Sequence, residues 1–271
     1  MHFATVNGIA IQYDVRLAEA GGDSDAPAIV FINSLGTDFR IWDQVREKLS
    51  DDFTTLVYDK RGHGLSGLGH PPYSICDHVE DLAGLLDLLD LRDVVLCGLS
   101  VGGLIAQGLC AVQPERVRGL VLSNTAAKIG NADMWAARMA MVAEKGIGAI
   151  LEDVMARWFT PTFRRSDNAA YHGYCAMLLR QPAEGYAGTC AAIRDADFTT
   201  AAGKIAVPTL CIAGSQDGST PPAVVKGTAD LIAGARYELI DDAAHLPCIE
   251  TPAVHAAIIR DFVQGLRENQ G

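Results

Sequence analysis

The decapeptide VVLCGLSVGG, residues 94 to 103, constrains this chain more than any other stretch. Val94 to Cys97 is a short all-apolar run, the signature of a strand covered on both faces. Gly98-Leu99-Ser100-Val101-Gly102 cuts it off, and Leu104, Ile105 and Leu109 then open a helical pattern. A strand that passes through G-x-S-x-G into a helix lifts a serine hydroxyl out of the sheet on a sharp turn. The glycines on either side of the serine leave room for that turn because neither carries a Cβ. The N–H of Val101 falls at a helix N-terminus, where it can donate to an oxygen that becomes negative during reaction. G-x-S-x-G alone is a weak pattern. Its strand-and-helix context gives it weight, provided an acid and a histidine follow.

A serine hydroxyl is a poor nucleophile until a base takes its proton, and the base needs a third group to hold its tautomer. In this arrangement the partners follow in the order serine, acid, histidine. Asp217 lies in AGSQDGSTPP, just past the apolar run Leu210–Ala213, and His245 lies in DDAAHLPCIETP, past the strand-like Arg236–Ile240. Ligand-facing residues of open α/β sheets sit at such carboxyl ends, which puts both on the edge that carries Ser100. Asp241 and Asp242 are too near His245 in sequence, and Ser123-Asn124 offers no charge. His63 ends a strand but precedes the serine in a Gly-flanked turn, so it reads as structural, at most lining a pocket. His255 is helical, and His2, His70, His78 and His172 have no strand-end setting. Ser100, Asp217 and His245 are therefore the expected nucleophile, acid and base. The second oxyanion donor is expected from Asn33-Ser34-Leu35-Gly36, with the Leu35 N–H beside that of Val101.

The rest of the chain supplies the sheet these residues need. Residues 1 to 15 alternate apolar and polar like one strand, and lack the layout of a signal peptide. Gly21 to Asp25 reads as a turn, Ala28–Ile32 and Phe53–Tyr58 as strands, Asp77–Leu91 as a helix and Val117–Ser123 as a strand. Strands alternating with helices mean an α/β fold with a mostly parallel, doubly wound sheet. From 130 to 203 that rhythm stops, and helical segments punctuated by Pro161 and Pro182 replace it. So long a stretch without structure of its own is improbable, so 130–203 is expected to be a helical lid inserted into a core of 1–129 and 204–271.

Composition narrows the partners. The 271 residues suffice for one large core plus a lid. The net charge of −11 argues against nucleic acid and anionic membranes, and no apolar run is long enough to span a bilayer. An anionic substrate would need a locally placed cation. The seven cysteines are scattered, mostly within apolar segments, and read as reduced core residues of a cytoplasmic protein; no C-x-x-C pair or His/Cys cluster suggests a metal.

With these residues in place, the chain resembles the 3-oxoadipate enol-lactonases of the α/β-hydrolase superfamily. The matching features are Asn33 to Thr37, Asp59 to Ser66, Cys97 to Gly103, Ser123 to Ala127, Trp135 with Arg138, Arg157 to Pro161, Glu184 to Tyr186, Cys190 to Phe198, the Asp217 loop and Asp242 to Leu246. They run nearly end to end and include the insert. Val101 departs from the pattern, where Met is expected, but only its backbone is needed. The resemblance implies an α/β-hydrolase fold, no cofactor, and opening of a small anionic lactone in the β-ketoadipate route of aromatic breakdown. It also implies that Trp135, Arg138 and Trp158 contact substrate. Trp135 and Arg138 are three apart on one helix and so share a face. Spacing alone serves a solvated surface arginine equally well, with Arg157 or Arg164 as other anchors. Two other uses stand beside the lactonase reading. One is a general carboxylesterase or cofactor-free perhydrolase (haloperoxidase) with a taste for small neutral esters. The other is a hydrolase-fold ligand receptor.

Overall fold

The structure, a computed structural model, describes residues 1–18 and 27–268. The turn expected at Gly21 to Asp25 lies outside the described residues. The N-terminal alternation is two strands, not one. β1 (His2–Val6) and β2 (Ile9–Arg16) form an antiparallel hairpin with Val6 opposite Ile9. Asn7 and Gly8 between them both take positive φ, 49° and 79°. Those angles suit a two-residue hairpin turn, and Asn-Gly is the pair that adopts them most readily. A period-2 pattern runs through such a turn without a break, which is why it reads as one strand.

The remaining strands are β3 (Ile29–Ile32), β4 (Thr55–Tyr58), β5 (Val94–Leu99), β6 (Val117–Ser123), β7 (Thr209–Gly214) and β8 (Arg236–Ile240). They form one eight-stranded sheet in the order β1-β2-β4-β3-β5-β6-β7-β8. From β4 to β8 every neighbouring pair is parallel, and β2 alone runs against the other strands. The central strands β3, β4, β5 and β7 are buried at every position, so both their faces lie under helices.

The flanking helices are α1 (Asp43–Leu49), α2 (Ile75–Leu88) and α3 (Val101–Val112) before β6. α2 begins two residues earlier than its leucine spacing suggests. Ser74 and Asp77 form a reciprocal capping box that satisfies the first free N–H groups. Between β6 and β7 come α4 (Ala132–Lys145), α5 (Leu151–Trp158), α6 (Ala169–Leu179), α7 (Ala183–Asp195) and the short α8 (Thr199–Ala202). The Asn131 side chain caps α4 by accepting the Met134 N–H at 2.9 Å. The chain then adds α9 (Pro222–Leu231), α10 (Pro247–Glu250) and α11 (Pro252–Glu268). Among the described residues, no helix is long and apolar enough to cross a membrane.

Candidate active site

Ser100 sits alone between β5 and α3 at φ 58°, ψ −119°. A non-glycine residue holds such a conformation only where its surroundings enforce it. Here the Ser100 N–H donates to the Ser123 carbonyl at 3.1 Å. The Ser100 carbonyl accepts from the Gly103 N–H at 2.9 Å and the Thr125 hydroxyl at 2.6 Å. The close turn also needs its glycines. A Cβ on Gly98 would lie 2.3 Å from the Gly102 carbonyl oxygen, and one on Gly102 would lie 2.2 Å from that of Ile32.

Asp217, in the turn after β7, is buried and accepts hydrogen bonds on both oxygens. Oδ1 takes the N–H groups of Ser219 (2.7 Å) and Thr220 (3.0 Å), and Oδ2 takes the Thr220 hydroxyl (2.8 Å) and the Asn124 amide (2.9 Å). His245 Nδ1 stands 2.8 Å from the same Oδ2. Burial by itself would raise this carboxyl. The His245 ring and the surrounding donors outweigh it and hold Asp217 below the usual carboxylate range. An ionised carboxylate can only accept, so Nδ1 carries the ring hydrogen and Nε2 is left as the acceptor. His245 is fixed from the other side by its backbone N–H, which donates to the Trp158 carbonyl at 3.1 Å.

Ser100 and His245 open onto one narrow cavity of about 80 Å³. Ser34 and Leu35 line it on the sheet side; Trp135, Arg138, Arg157, Trp158 and Tyr186 line it from the insert. Among the described residues the Ser100 hydroxyl makes no hydrogen bond to His245. Two wider clefts, of about 600 and 550 Å³, lie beside α1 and α6 and contain neither Ser100 nor His245. The small cavity is where nucleophilic, basic and cationic groups converge, and convergent polar groups matter more than size for a reactive site.

The loop before α1 is held from behind. Lys60, fully buried, donates from Nζ to the Ser34 carbonyl at 2.6 Å, and His63 Nε2 accepts the Gly36 N–H at 3.0 Å. Burial, reinforced by Lys60, pushes His63 well below its ordinary range, so its ring stays a neutral acceptor. These two contacts pin the peptides on either side of Leu35. Among the described residues, neither the Leu35 N–H nor the Val101 N–H has an internal partner. His63 is fully buried behind this loop and absent from the cavity wall.

On the insert, Trp135 Nε1 donates to the Ile129 carbonyl at 2.7 Å, which fixes the ring against the cavity mouth. The Arg138 guanidinium lies 5.7 Å from the Trp135 ring centre, and its Nη1 donates to the Tyr186 hydroxyl at 3.3 Å. Among the described residues neither Arg138 nor Arg157 has a carboxylate partner. Arg164 points elsewhere, donating to the Phe159 carbonyl at 3.1 Å.

The structure thus gathers Ser100, His245, Leu35, Trp135, Arg138 and Trp158 around one cavity, with Asp217 behind His245 and Val101 at the start of α3. Residue-by-residue reading does not single out Lys60, Asn124, Tyr186 or Glu250, whose parts depend on partners distant in sequence. Among the described residues, no group of three or more His, Cys, Asp or Glu side chains could hold a metal ion.

Comparison with known proteins agrees with the architecture. Residues 27–252 match the model of the alpha/beta hydrolase fold. The 3-oxoadipate enol-lactonase 2 of Acinetobacter baylyi is 37% identical over 231 residues, covering 85% of this chain and 86% of that protein. The crystal structure of the enol-lactonase from Burkholderia xenovorans LB400 superposes with a TM-score of 0.92 at 36% identity, over 97% of this chain and all of that one. A thermophilic esterase from Thermogutta terrifontis has a TM-score of 0.89 at 25% identity, over 98% of both chains. The chain belongs to the α/β hydrolase fold family, and the 3-oxoadipate enol-lactonases are among its relatives.

Proposed function

We propose that this protein hydrolyses 3-oxoadipate enol-lactone to 3-oxoadipate through an acyl-enzyme on Ser100. One observation carries the reading: the cavity that holds Ser100 and His245 also holds Arg138 and Arg157, two guanidinium groups without acidic partners among the described residues. In a protein with net charge −11 this is a local reversal of sign, suited to a small ester that bears its own carboxylate.

In this mechanism the Ser100 hydroxyl attacks the lactone carbonyl and passes its proton to His245 Nε2, while Asp217 holds the ring and balances the imidazolium. The oxyanion lies between the N–H groups of Leu35 and Val101. Donors fixed before reaction are what makes such a site effective, and the contacts of Lys60 and His63 that hold the peptides around Leu35 support this role. Collapse breaks the ring C–O bond, and the departing enolate takes the proton from His245 and becomes the ketone. Water, deprotonated by His245, then cleaves the acyl-enzyme. The product is a dicarboxylate, and Ser100 regains its proton. Residues 130–203 act as the lid, with Trp135, Arg138 and Trp158 as substrate contacts. The compartment is the cytoplasm, in keeping with seven free cysteines.

Direct assay of enol-lactone loss by the purified protein tests the reading. Rapid loss is expected. A clear preference for small neutral esters, or peracid formation from acetate, would point to a general esterase or perhydrolase instead. Tight binding without turnover would point to a receptor.

A further inference from the structure

Behind Asp217 lies a chain of buried polar side chains that the mechanism above does not use. Asn124, at the end of β6, is fully buried and gives away both amide hydrogens: one to Asp217 Oδ2 at 2.9 Å and one to the Ala244 carbonyl at 3.2 Å. Its Oδ1 lies 3.1 Å from the Ser123 hydroxyl, which in turn lies 3.2 Å from His255 Nε2 on α11. Ser123 and His255 are also fully buried.

The chemistry of these groups sets the direction of every bond. Were the Asn124 amide reversed, its oxygen would face a carboxylate oxygen and a carbonyl, with three acceptors and no hydrogen between them. The nitrogen therefore faces Asp217, and Oδ1 must accept. Among the described residues only the Ser123 hydroxyl supplies that hydrogen, and a hydroxyl has one to give. Ser123 Oγ must then accept from His255, so His255 carries its hydrogen on Nε2. Its Nδ1 has no partner among the described residues, which suits a bare lone pair and not an N–H. We propose that His255, Ser123 and Asn124 form a one-way relay of donors aimed at Asp217, and that Asn124 is the positioning residue of the catalytic pair. By bonding Asp217 and the peptide just before His245 with one rigid amide, Asn124 sets the acid and the base at a fixed separation. Burial, which pushes His255 down to about 3, keeps the head of the relay neutral throughout the working range.

Asn124 has φ 46°, a conformation that Asn, Asp and Gly tolerate. Asn124→Asp therefore keeps shape and backbone but turns a donor into an acceptor and adds a charge. Asn124→Gly removes the amide together with its Cβ and adds no charge. The proposal rests on the triad reading, so Asp217→Asn is measured beside them, with both the enol-lactone and p-nitrophenyl acetate as substrates. Asn124→Asp is expected to lower kcat on both by roughly 10- to 150-fold, the worth of a hydrogen bond to a charged group, with little change in KM. It should also move the acid limb of kcat/KM to higher pH, because a second carboxylate there favours the charged imidazole. Asn124→Gly should lower kcat with a smaller displacement of the limb. If Asp217→Asn destroys activity while both Asn124 variants keep wild-type kcat and pH profile, the relay is wrong and the triad stands. If Asp217→Asn is active, the triad reading fails and takes the relay with it. Nitrogen-15 shifts of the His255 ring in wild-type protein give a reading that needs no variant to fold: a neutral Nε2–H ring between pH 6 and 8 is expected. An Nδ1–H ring would reverse the chain and overturn the proposal.

Discussion

The carbonyl of Trp158, the last residue of α5, accepts the backbone N–H of His245 at 3.1 Å and that of Leu246 at 3.3 Å. One peptide of the segment between β6 and β7 is thereby joined to the loop that presents His245. Glu250 completes the joint from α10. Its Oε1 accepts the N–H (2.9 Å) and hydroxyl (2.7 Å) of Thr160, and its Oε2 accepts the N–H of Ala244 at 2.8 Å. The cavity wall at Trp158 and the His245 ring are therefore parts of one clamp.

Glu250→Gln should loosen that clamp at little cost in volume. The amide has one oxygen, so it cannot receive donors from both sides, and its NH2 must face an N–H. The loss of a charge-assisted bond predicts a destabilisation of about 1.5–3 kcal/mol. It also predicts a fall in kcat on lactone and neutral ester alike, since the base itself is displaced. Thermal unfolding and both rates check this, and wild-type values in all three would mean that the carboxylate is incidental.

Ser100→Ala should abolish turnover of esters and lactones while leaving the melting temperature near that of the parent. Asp217→Asn should cost on the order of 10⁴-fold in kcat, the penalty for a base held in the wrong tautomer. Because Asp217 is held below the usual carboxylate range, it stays ionised where activity is measured. Activity should therefore fall toward acid because a protonated imidazole cannot take the serine proton, and metal chelators should change nothing. Activity that is flat from about pH 5 to 8, or an effect of Asp217→Asn below tenfold, would contradict this scheme.

What the chain discloses before folding follows from how local each signal is. The strand, turn and helix around Ser100 are encoded within ten residues, and the strand-end positions of Asp217 and His245 follow from short apolar runs next to them. The hairpin is also local, but its two-residue turn preserves the alternation on both sides, so the pattern conceals it. Asn124 and Glu250 are a different case. Asn124 meets Asp217 across 93 positions, and Glu250 meets Thr160 across 90. An asparagine after a strand or a glutamate in a short helix carries no mark of such partners. Lys60 is equally silent, because its task is to hold a neighbouring loop from inside the protein, whereas the Gly-flanked turn of His63 already reads as structural.

Arg138→Ala tests substrate choice. A guanidinium bonded to the substrate carboxylate is worth about 1.5–3 kcal/mol, which corresponds to a loss of roughly 10- to 150-fold in kcat/KM on the carboxylated lactone. On a small neutral ester the loss should nearly vanish. Equal losses on both would assign Arg138 to holding Tyr186 and the insert in place. An unchanged lactone rate would leave Arg157 as the anchor, since it lines the same cavity.

Three histidines are buried in the neutral form: burial pushes His78 and His255 down to about 3 and His63 well below its ordinary value. Unfolded, each would titrate near pH 6.5. Between about pH 3 and 6.5 the unfolded chain therefore binds more protons at these sites than the folded one, so stability rises with pH across that window. Their contribution is complete above about pH 6.5 and is lost as pH falls, at about 1.4 kcal/mol per pH unit for each ring. Asp59 and Glu250, whose carboxyls burial pushes up, act in the opposite sense, while Asp217, held low, acts in the same sense at the acid end of the window. The contribution of one ring is isolated by difference. His78→Gln should flatten the pH dependence of the unfolding free energy by about one proton between pH 4 and 6, whatever it does to stability at pH 7.5. Urea unfolding at pH 7.5, 6 and 5 measures the slope directly. An unchanged slope in the variant would mean that His78 takes up its proton inside the folded protein as readily as in the unfolded chain.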